Sequence, residues 1–362
     1  MKPVPRVTAL IDTYNHERFI AEAIESVLAQ DFPASEMEIL VVDDGSTDHT
    51  PEIIRGYGDR VRYIRKENGG QASALNVGFS QARGEIIALL DSDDVWLPQK
   101  IRSVMEAFQQ YPEVGTVFHA SQYWRPDQAL CVADPSFVPL SGNLSDQDDA
   151  ILRLGGISTS WTTIRREVAR RILPLPQRLR LFADSYLMSA AIFCAPVTCI
   201  NMPLARYRHH SANLTFSTDP DPVRAKRSND SFRCAIEELR SWLDRNGFLA
   251  RSRAAALLLE RMALVEQLQR FVIQTPGRAE YLAYLRRYHR LYAPIWSRSY
   301  RFFDRVKAVA GFVLGYEGFF AAQQFYRRSR SLPRLRESFL PALRRELSPA
   351  AAAVPPESLE LR

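Results

Sequence analysis

Three carboxylates occupy four positions at Asp91-Ser92-Asp93-Asp94, directly after the five apolar residues 86–90. An unbroken apolar run of that length fits a strand buried on both faces. The acids therefore sit where a strand leaves a dry interior. Along an extended chain Asp91 and Asp93 share one side. Neighbouring carboxylates raise each other's pKa unless a cation lies between them. A hard divalent ion, Mg2+ or Mn2+, bound by oxygen ligands and substrate phosphates suits such a place. Three more polar clusters follow strand-like runs: Asp12-Thr13-Tyr14-Asn15, Asp43-Asp44-Gly45-Ser46 and Asn68-Gly69-Gly70. Any one alone reads as a turn or helix cap, since Asp, Asn, Ser and Gly are favoured there. Together they point to one crevice, because ligands of open α/β sheets bind outside the carboxyl ends of the strands.

The elements that must hold these clusters alternate. Short β-rich runs at 6–11, 38–42, 61–64, 86–90 and 114–118 are separated by helical patterns at 17–29, 71–82 and 98–108. Thr50-Pro51 opens a short helix, and Gly84 stops another. This order predicts an α/β fold, a mostly parallel sheet flanked by helices. From 122 to 152 the pattern weakens and reads as a surface excursion. Helical patterns return at 165–172 and 184–193, followed by a short strand at 197–200. After Asp219-Pro220-Asp221-Pro222 the chain reads as helical over 224–246, 250–273 and 279–292. The expected division is an α/β half at 1–120, a second half of the same domain at 121–220, a basic helical region at 221–347, and an Ala/Pro-rich disordered tail at 348–362.

The chain has 362 residues and a net charge of +6, with ordinary globular composition. This excludes disulfide miniproteins, collagen-like fibres and wholly disordered chains. The charge is uneven. Residues 1–224 carry 22 Lys and Arg against 28 Asp and Glu, and residues 225–362 carry 25 against 13. The start of the chain reads as no secretory leader, and no apolar stretch is long enough for a membrane span. Cys131, Cys194, Cys199 and Cys234 form no metal-type pair and read as reduced thiols. No phosphate-binding Gly-rich motif follows a strand, which argues against a P-loop NTPase and a dinucleotide-dependent dehydrogenase.

Thr13-Tyr14-Asn15, the segment Val41-Val42-Asp43-Asp44-Gly45-Ser46-Thr47-Asp48, Asn68-Gly69-Gly70 with Asn76 and Gly78, and Gly84 with Leu90-Asp91-Ser92-Asp93-Asp94 resemble glycosyltransferase family 2 in order and spacing. The resemblance covers about residues 5–215. It implies the GT-A fold, a nucleoside-diphosphate sugar donor, Mg2+ or Mn2+, and inversion at the anomeric carbon. It places Thr13, Tyr14 and Asn15 along base and ribose, with Asp43 or Asp44 on the base. It adds Asn68, Gly70, Asn76, Asp91, Ser92 and Arg208 to the donor site. Asp93, Asp91 and His210 become the metal ligands; Arg208 and His210 belong to a Tyr-Arg-x-His-x-x-Asn-like segment, 207–213. Asp184 matches the family's catalytic base, although Ala183 stands where Glu is common. Asp12 departs from the Pro or small residue usual before Thr-Tyr-Asn.

The expected reaction moves a sugar to a hydroxyl of a glycan or lipid-linked glycan, as in cell-surface polysaccharide synthesis. Trp161 is a candidate aromatic platform for the acceptor, as is Trp124. The alternatives are a nucleotidyltransferase on a related fold and a non-catalytic glycan-binding protein. The basic helices suggest a cytoplasmic protein held peripherally at an anionic inner-membrane face. No recognition motif accompanies the charge, so nucleic acid is not an expected partner.

Overall fold

The computed structural model describes residues 4–125, 130–133, 137–154, 158–210, 213 and 222–295. In chain order the strands are β1 (Val7–Thr13), β2 (Met37–Asp43), β3 (Arg62–Arg65), β4 (Ile86–Asp91), β5 (Val95–Trp96), β6 (Thr116–Arg125), β7 (Leu130–Ala133), β8 (Thr162–Arg165) and β9 (Val197–Arg208). The helices are α1 (Ile20–Leu28), α2 (Thr50–Arg55), α3 (Gln71–Gln81), α4 (Lys100–Gln110), α5 (Asp148–Arg153), α6 (Arg166–Arg170), α7 (Ala183–Cys194), α8 (Pro222–Arg245), α9 (Phe248–Arg251), α10 (Arg253–Ile273) and α11 (Arg278–Tyr292).

Among the described residues the strands form one sheet in the order β3-β2-β1-β4-β8-β6-β9-β5, with β7 beside β6. The strands β3, β2, β1 and β4 are mutually parallel. The Thr-rich strand β8 runs antiparallel to both β4 and β6. Beyond it β9 lies parallel to β6, and β5 antiparallel to β9. The predicted mostly parallel sheet is thus present in the first half and mixed in the second.

The parallel strands are apolar on both faces for a visible reason. Leu10, Leu40, Val42, Ile87 and Leu89 pack in one core layer with α3 and α7. Ala9, Ile11, Ile39, Val41, Ala88 and Leu90 pack in the other with α1 and α4. By the two-residue period, Asp12 and Asp91 follow Leu10 and Leu89 onto the α3/α7 side. They are also register partners on adjacent strands.

Contacts within the chain divide it into a compact unit, 1–273, and a second unit, 274–362. Helices α8, α9 and α10 belong to the first. Leu239, Leu243, Leu258 and Leu259 are buried in the same core as Tyr186 and Leu187 of α7. The rings of Phe182 and Phe232 lie 5.1 Å apart. Part of the basic region is therefore structural: its apolar stripe packs in the core with α7, while Arg240, Arg245, Arg251 and Arg253 are exposed. In the second unit α11 carries a stair of rings, Tyr281, Tyr284, Tyr288 and Tyr292. No helix among the described residues is long and apolar enough to cross a membrane. The basic segments 326–330 and 334–336, and the tail 348–362, lie outside the described residues.

Candidate active site

The loops after β1 and β2 clasp each other. The backbone N–H of Asn15 donates to Ser46 Oγ at 2.9 Å, and that of Thr47 donates to Asn15 Oδ1 at 2.8 Å. Glu17 accepts from the His49 N–H at 3.0 Å, while Asp48 accepts from the Glu17 N–H at 3.0 Å. Asn15 sits in the left-handed region at φ 54, which Asn tolerates better than most residues. Its side chain serves as a clip between loops, while neighbouring Tyr14 is 45% exposed at the rim.

The two Asp residues after β2 separate cleanly. Asp43 is fully buried; it accepts the Ser46 N–H at 2.7 Å and the Tyr63 hydroxyl at 2.7 Å. It builds the turn. Asp44 accepts from Lys66 Nζ at 2.6 Å and from the N–H groups of Gly69 at 2.9 Å and Gly70 at 2.6 Å. It folds the Asn68-Gly69-Gly70 loop over the end of the sheet. Gly70 is required there: its φ is 86, and a Cβ would lie 2.5 Å from Arg180 Cα.

That loop in turn positions the segment leading to Asp184. The side chain of Arg180 donates to Asn68. Gln71 Oε1 accepts the Ala183 N–H at 3.0 Å. Asn76 donates to the Leu175 carbonyl at 2.9 Å and accepts the Leu175 N–H at 2.8 Å. Asn76, expected along the donor, is instead a brace, because its amide oxygen and nitrogen are both engaged by this backbone. Phe182 precedes α7 at φ 61, a conformation that costs a non-glycine residue of order 1 kcal/mol. Asp184 opens α7, where it accepts from the Ser185 N–H at 2.7 Å and the Thr159 hydroxyl at 3.3 Å. Burial pushes its carboxyl above the usual range.

Six carboxylates lie within electrostatic reach of one another here: Asp12, Asp44, Asp91, Asp93, Asp94 and Asp184. Burial, then the charges of Asp184, Asp93 and Asp44, raise Asp12 to about 7. Asp91 is pushed well above the ordinary range by burial and by Asp12, Asp93, Asp94 and Asp184. Asp93 behaves oppositely. Burial opposes its ionisation, but the hydrogen bond with His210 and the charges of His16 and His210 prevail and lower it. The structure corrects the expected alternation of Asp91 and Asp93. The strand ends at Asp91 and the chain turns, with the Asp94 N–H donating to the Asp91 carbonyl at 3.0 Å. Asp91 then belongs with Asp12, and Asp93 with His210.

His210 Nε2 lies 3.1 Å from Asp93 Oδ2. The His210 ring stacks on Phe19 at 4.3 Å, and Asn213 Oδ1 accepts the His210 N–H at 2.6 Å. Arg208 donates through Nε to the Asp93 carbonyl at 2.7 Å and through Nη2 to Glu22 at 2.6 Å. Its guanidinium lies 4.1 Å from the Trp124 ring centre. Ser92 Oγ pairs with His16 Nδ1 at 2.7 Å. His16, Phe19, Glu22, Thr159 and Ser160 were not anticipated; the His16 position next to Tyr14-Asn15 was the only signal available for any of them.

Trp161 is corrected. It is 6% exposed and packs in the core layer with Ile11, Leu90 and Val117, so it offers no open platform. Thr13 is also buried. Among the described residues no three His, Cys, Asp or Glu side chains are gathered to hold an ion by themselves. The expected trio reduces to the pair Asp93–His210. A carboxylate oxygen facing an imidazole nitrogen fits Mn2+, and Mg2+ is commonly held by one or two carboxylates completed by substrate phosphates.

The unpartnered Oδ1 of Asp12 yields a prediction. A carboxyl whose folded pKa exceeds its unfolded value favours the fold fully below the lower value, and that benefit is lost as pH rises to the upper one. For Asp12 the window runs from 3.8 to about 7. In metal-free and donor-free solution, Asp12→Asn should stabilise the protein by about 2–4 kcal/mol at pH 8 and by much less at pH 4. Thermal melts at both values check this; a variant no more stable than wild type at pH 8 contradicts it.

The curled mixed sheet, with acids at its strand ends and helices on both faces, is the GT-A architecture. Residues 8–173 match Glycosyl transferase family 2. A glycosyltransferase of Nostoc sp., itself described as uncharacterized, is 35% identical over 217 residues, spanning 58% of this chain and 66% of that protein. A Rickettsia prowazekii relative with the same description is 45% identical over 97 residues, 27% of this chain and 30% of that protein. The chain thus spans less than two thirds of the length of these relatives. The crystal structure of S. aureus TarS 1-349 in complex with UDP-GlcNAc superposes with a TM-score of 0.59 at 17% identity, covering 86% of this chain and 92% of that one. At that identity the likeness concerns the fold.

Proposed function

We propose that this chain is an inverting glycosyltransferase that moves a sugar from a nucleoside-diphosphate donor to a hydroxyl of a glycan or lipid-linked glycan. The observation carrying this reading is the meeting of Asp12, Asp44, Asp91, Asp93 and Asp184 at the ends of β1, β2 and β4 and the start of α7. S. aureus TarS 1-349, crystallised in complex with UDP-GlcNAc, has a similar fold, which supports a nucleotide-sugar donor.

In this reading Tyr14 and the loops clasped by Asn15 and Asp44 flank the base and ribose. Asp93 and His210 would hold Mg2+ or Mn2+, which supplies a Lewis acid against the charge of the leaving diphosphate. Arg208, oriented by Glu22, Phe19 and Trp124, adds a fixed positive charge beside Asp93. Asp184 takes the proton of the attacking acceptor hydroxyl. The elevated pKa of Asp184 suits that task, because a base nearer neutrality accepts a proton more readily. The surplus of Lys and Arg in 225–362 supports peripheral contact with an anionic membrane presenting a lipid-linked acceptor, and a role in surface polysaccharide synthesis.

The direct test incubates the protein with Mn2+ or Mg2+ and a panel of UDP- and GDP-linked sugars. Binding and nucleoside-diphosphate release from at least one donor is the expected result. Release of pyrophosphate instead, or no binding by any donor, overturns the reading.

A further inference from the structure

The short turn 159–161 enters the site from outside every family motif, yet it touches both halves of the chemistry. Thr159 and Ser160 are fully buried. Ser160 Oγ accepts the Asp91 N–H at 3.1 Å and donates to Asp94 Oδ2 at 2.6 Å. Asp94 Oδ1 in turn accepts the Arg208 N–H at 2.9 Å. One hydroxyl thereby ties the end of β4 to the strand bearing Arg208, with its donor and acceptor both used. The adjacent Thr159 hydroxyl faces the other way and donates to Asp184 Oδ2.

Lys100 fixes this turn in place. Its side chain is completely buried, and Nζ donates to the Ser160 carbonyl at 2.7 Å while lying 4.1 Å from the Trp96 ring centre. A buried lysine is rare and needs partners. Here they are a carbonyl, an indole face and the field of Asp94, which offsets part of the burial that lowers the lysine's pKa. His119 lies close enough for the charge of Lys100 to be felt.

We propose that Thr159 and Ser160 are a pair of positioning residues with divided tasks: Ser160 sets the Asp91–Asp94 turn for donor and cation, and Thr159 sets Asp184 for the attacking hydroxyl. This rests on the reading of the chain as a nucleotide-sugar glycosyltransferase. A turn that merely completed the core would, when damaged, affect binding and turnover alike.

The test compares Thr159→Val, Thr159→Ser and Ser160→Ala in the full chain. The probe is the UDP- or GDP-linked sugar that wild type binds with Mn2+. Donor affinity is read by calorimetry, and nucleoside-diphosphate release at saturating donor is read with water as acceptor. Loss of one hydrogen bond to a charged group predicts about a 10-fold fall in kcat for Thr159→Val with donor affinity unchanged. Thr159→Ser should restore kcat. Ser160→Ala should weaken donor binding about 10-fold and affect kcat less. Should Ser160→Ala lose its native melting transition, Ser160→Cys, which keeps the volume and a weaker donor, replaces it. Identical signatures at the two positions, or a Thr159→Ser variant as impaired as Thr159→Val, overturn the proposal while wild-type turnover leaves the functional reading standing. A wild type that neither binds nor cleaves any donor overturns the functional reading itself, and the proposal with it.

Discussion

Replacing Asp184 by Asn is expected to slow sugar transfer by about 10²–10⁴-fold while donor binding survives. Asn keeps the shape; its single amide oxygen can still accept the Ser185 N–H, while its amide nitrogen faces the Thr159 hydroxyl, which must turn to accept. It removes the ability to take a proton and reverses the sense of the Thr159 hydrogen bond. The residue sits at the first turn of α7, anchored from behind by Gln71 through the Ala183 N–H, so the loop should keep its course. The pH profile supplies an independent reading. Burial raises the Asp184 carboxyl, so the active, ionised base is lost as pH falls through a value above that of an ordinary aspartate. Wild-type kcat should therefore fall on the acid side earlier than a solvent-exposed carboxylate would dictate, and the residual activity of Asp184→Asn should lack that limb. Stopped-time assays of nucleoside-diphosphate release, paired with calorimetric donor binding, measure both. Retained turnover in Asp184→Asn removes it as the base.

Asp93→Ala is expected to weaken cation-dependent donor binding by at least about 10²-fold, since loss of a direct ligand should exceed loss of an outer-shell partner. The carboxylate is held in its ionised form by His210 and His16 despite burial, and so is ready to meet a cation. The substitution also frees His210 from its 3.1 Å contact, so both members of the pair are affected. Wild-type donor affinity should collapse in EDTA and return with Mn2+ or Mg2+. The variant should show little response to either. Wild-type turnover unchanged in EDTA would exclude the ion altogether.

The legible part of this protein was the part governed by repetition. The apolar runs at 6–11, 38–42 and 86–90 became β1, β2 and β4, and the acids after them came together as expected. Family resemblance singled out Asp93, Asp184 and His210; His210 Nε2 lies 3.1 Å from Asp93 Oδ2, and Asp184 stands in the first turn of α7. What the sequence hid was decided by tertiary partners. The strand β8 is Thr-Thr-Ile-Arg, with no alternation to separate it from a loop, and β5 has only Val95 and Trp96. Neither exists without the neighbours that pair with it. Trp161 looked like a sugar platform because aromatic residues serve that purpose, but the same surface fills a core equally well. Asn76 and Asp43 matched the family, and their hydrogen bonds place them in the frame around the site. The helices of 224–273 showed their amphipathic stripe, although nothing in the stripe said that α7 would be its partner.

The antiparallel strand β8 has a mechanical consequence. It is laced to β4 on one side and to β6 on the other, so the strands bearing Asp12, Asp43 and Asp91 are continuous with those bearing Trp124 and Arg208. A hinge between the two halves of the sheet would have to tear a ladder in its middle. In the proposed function, adjustment to a bound donor is therefore expected at the rim, in the loops at 14–17 and 46–50 and the segment 175–183, rather than in the sheet. Substitutions in those rim segments are therefore expected to change donor preference more readily than substitutions in the strands.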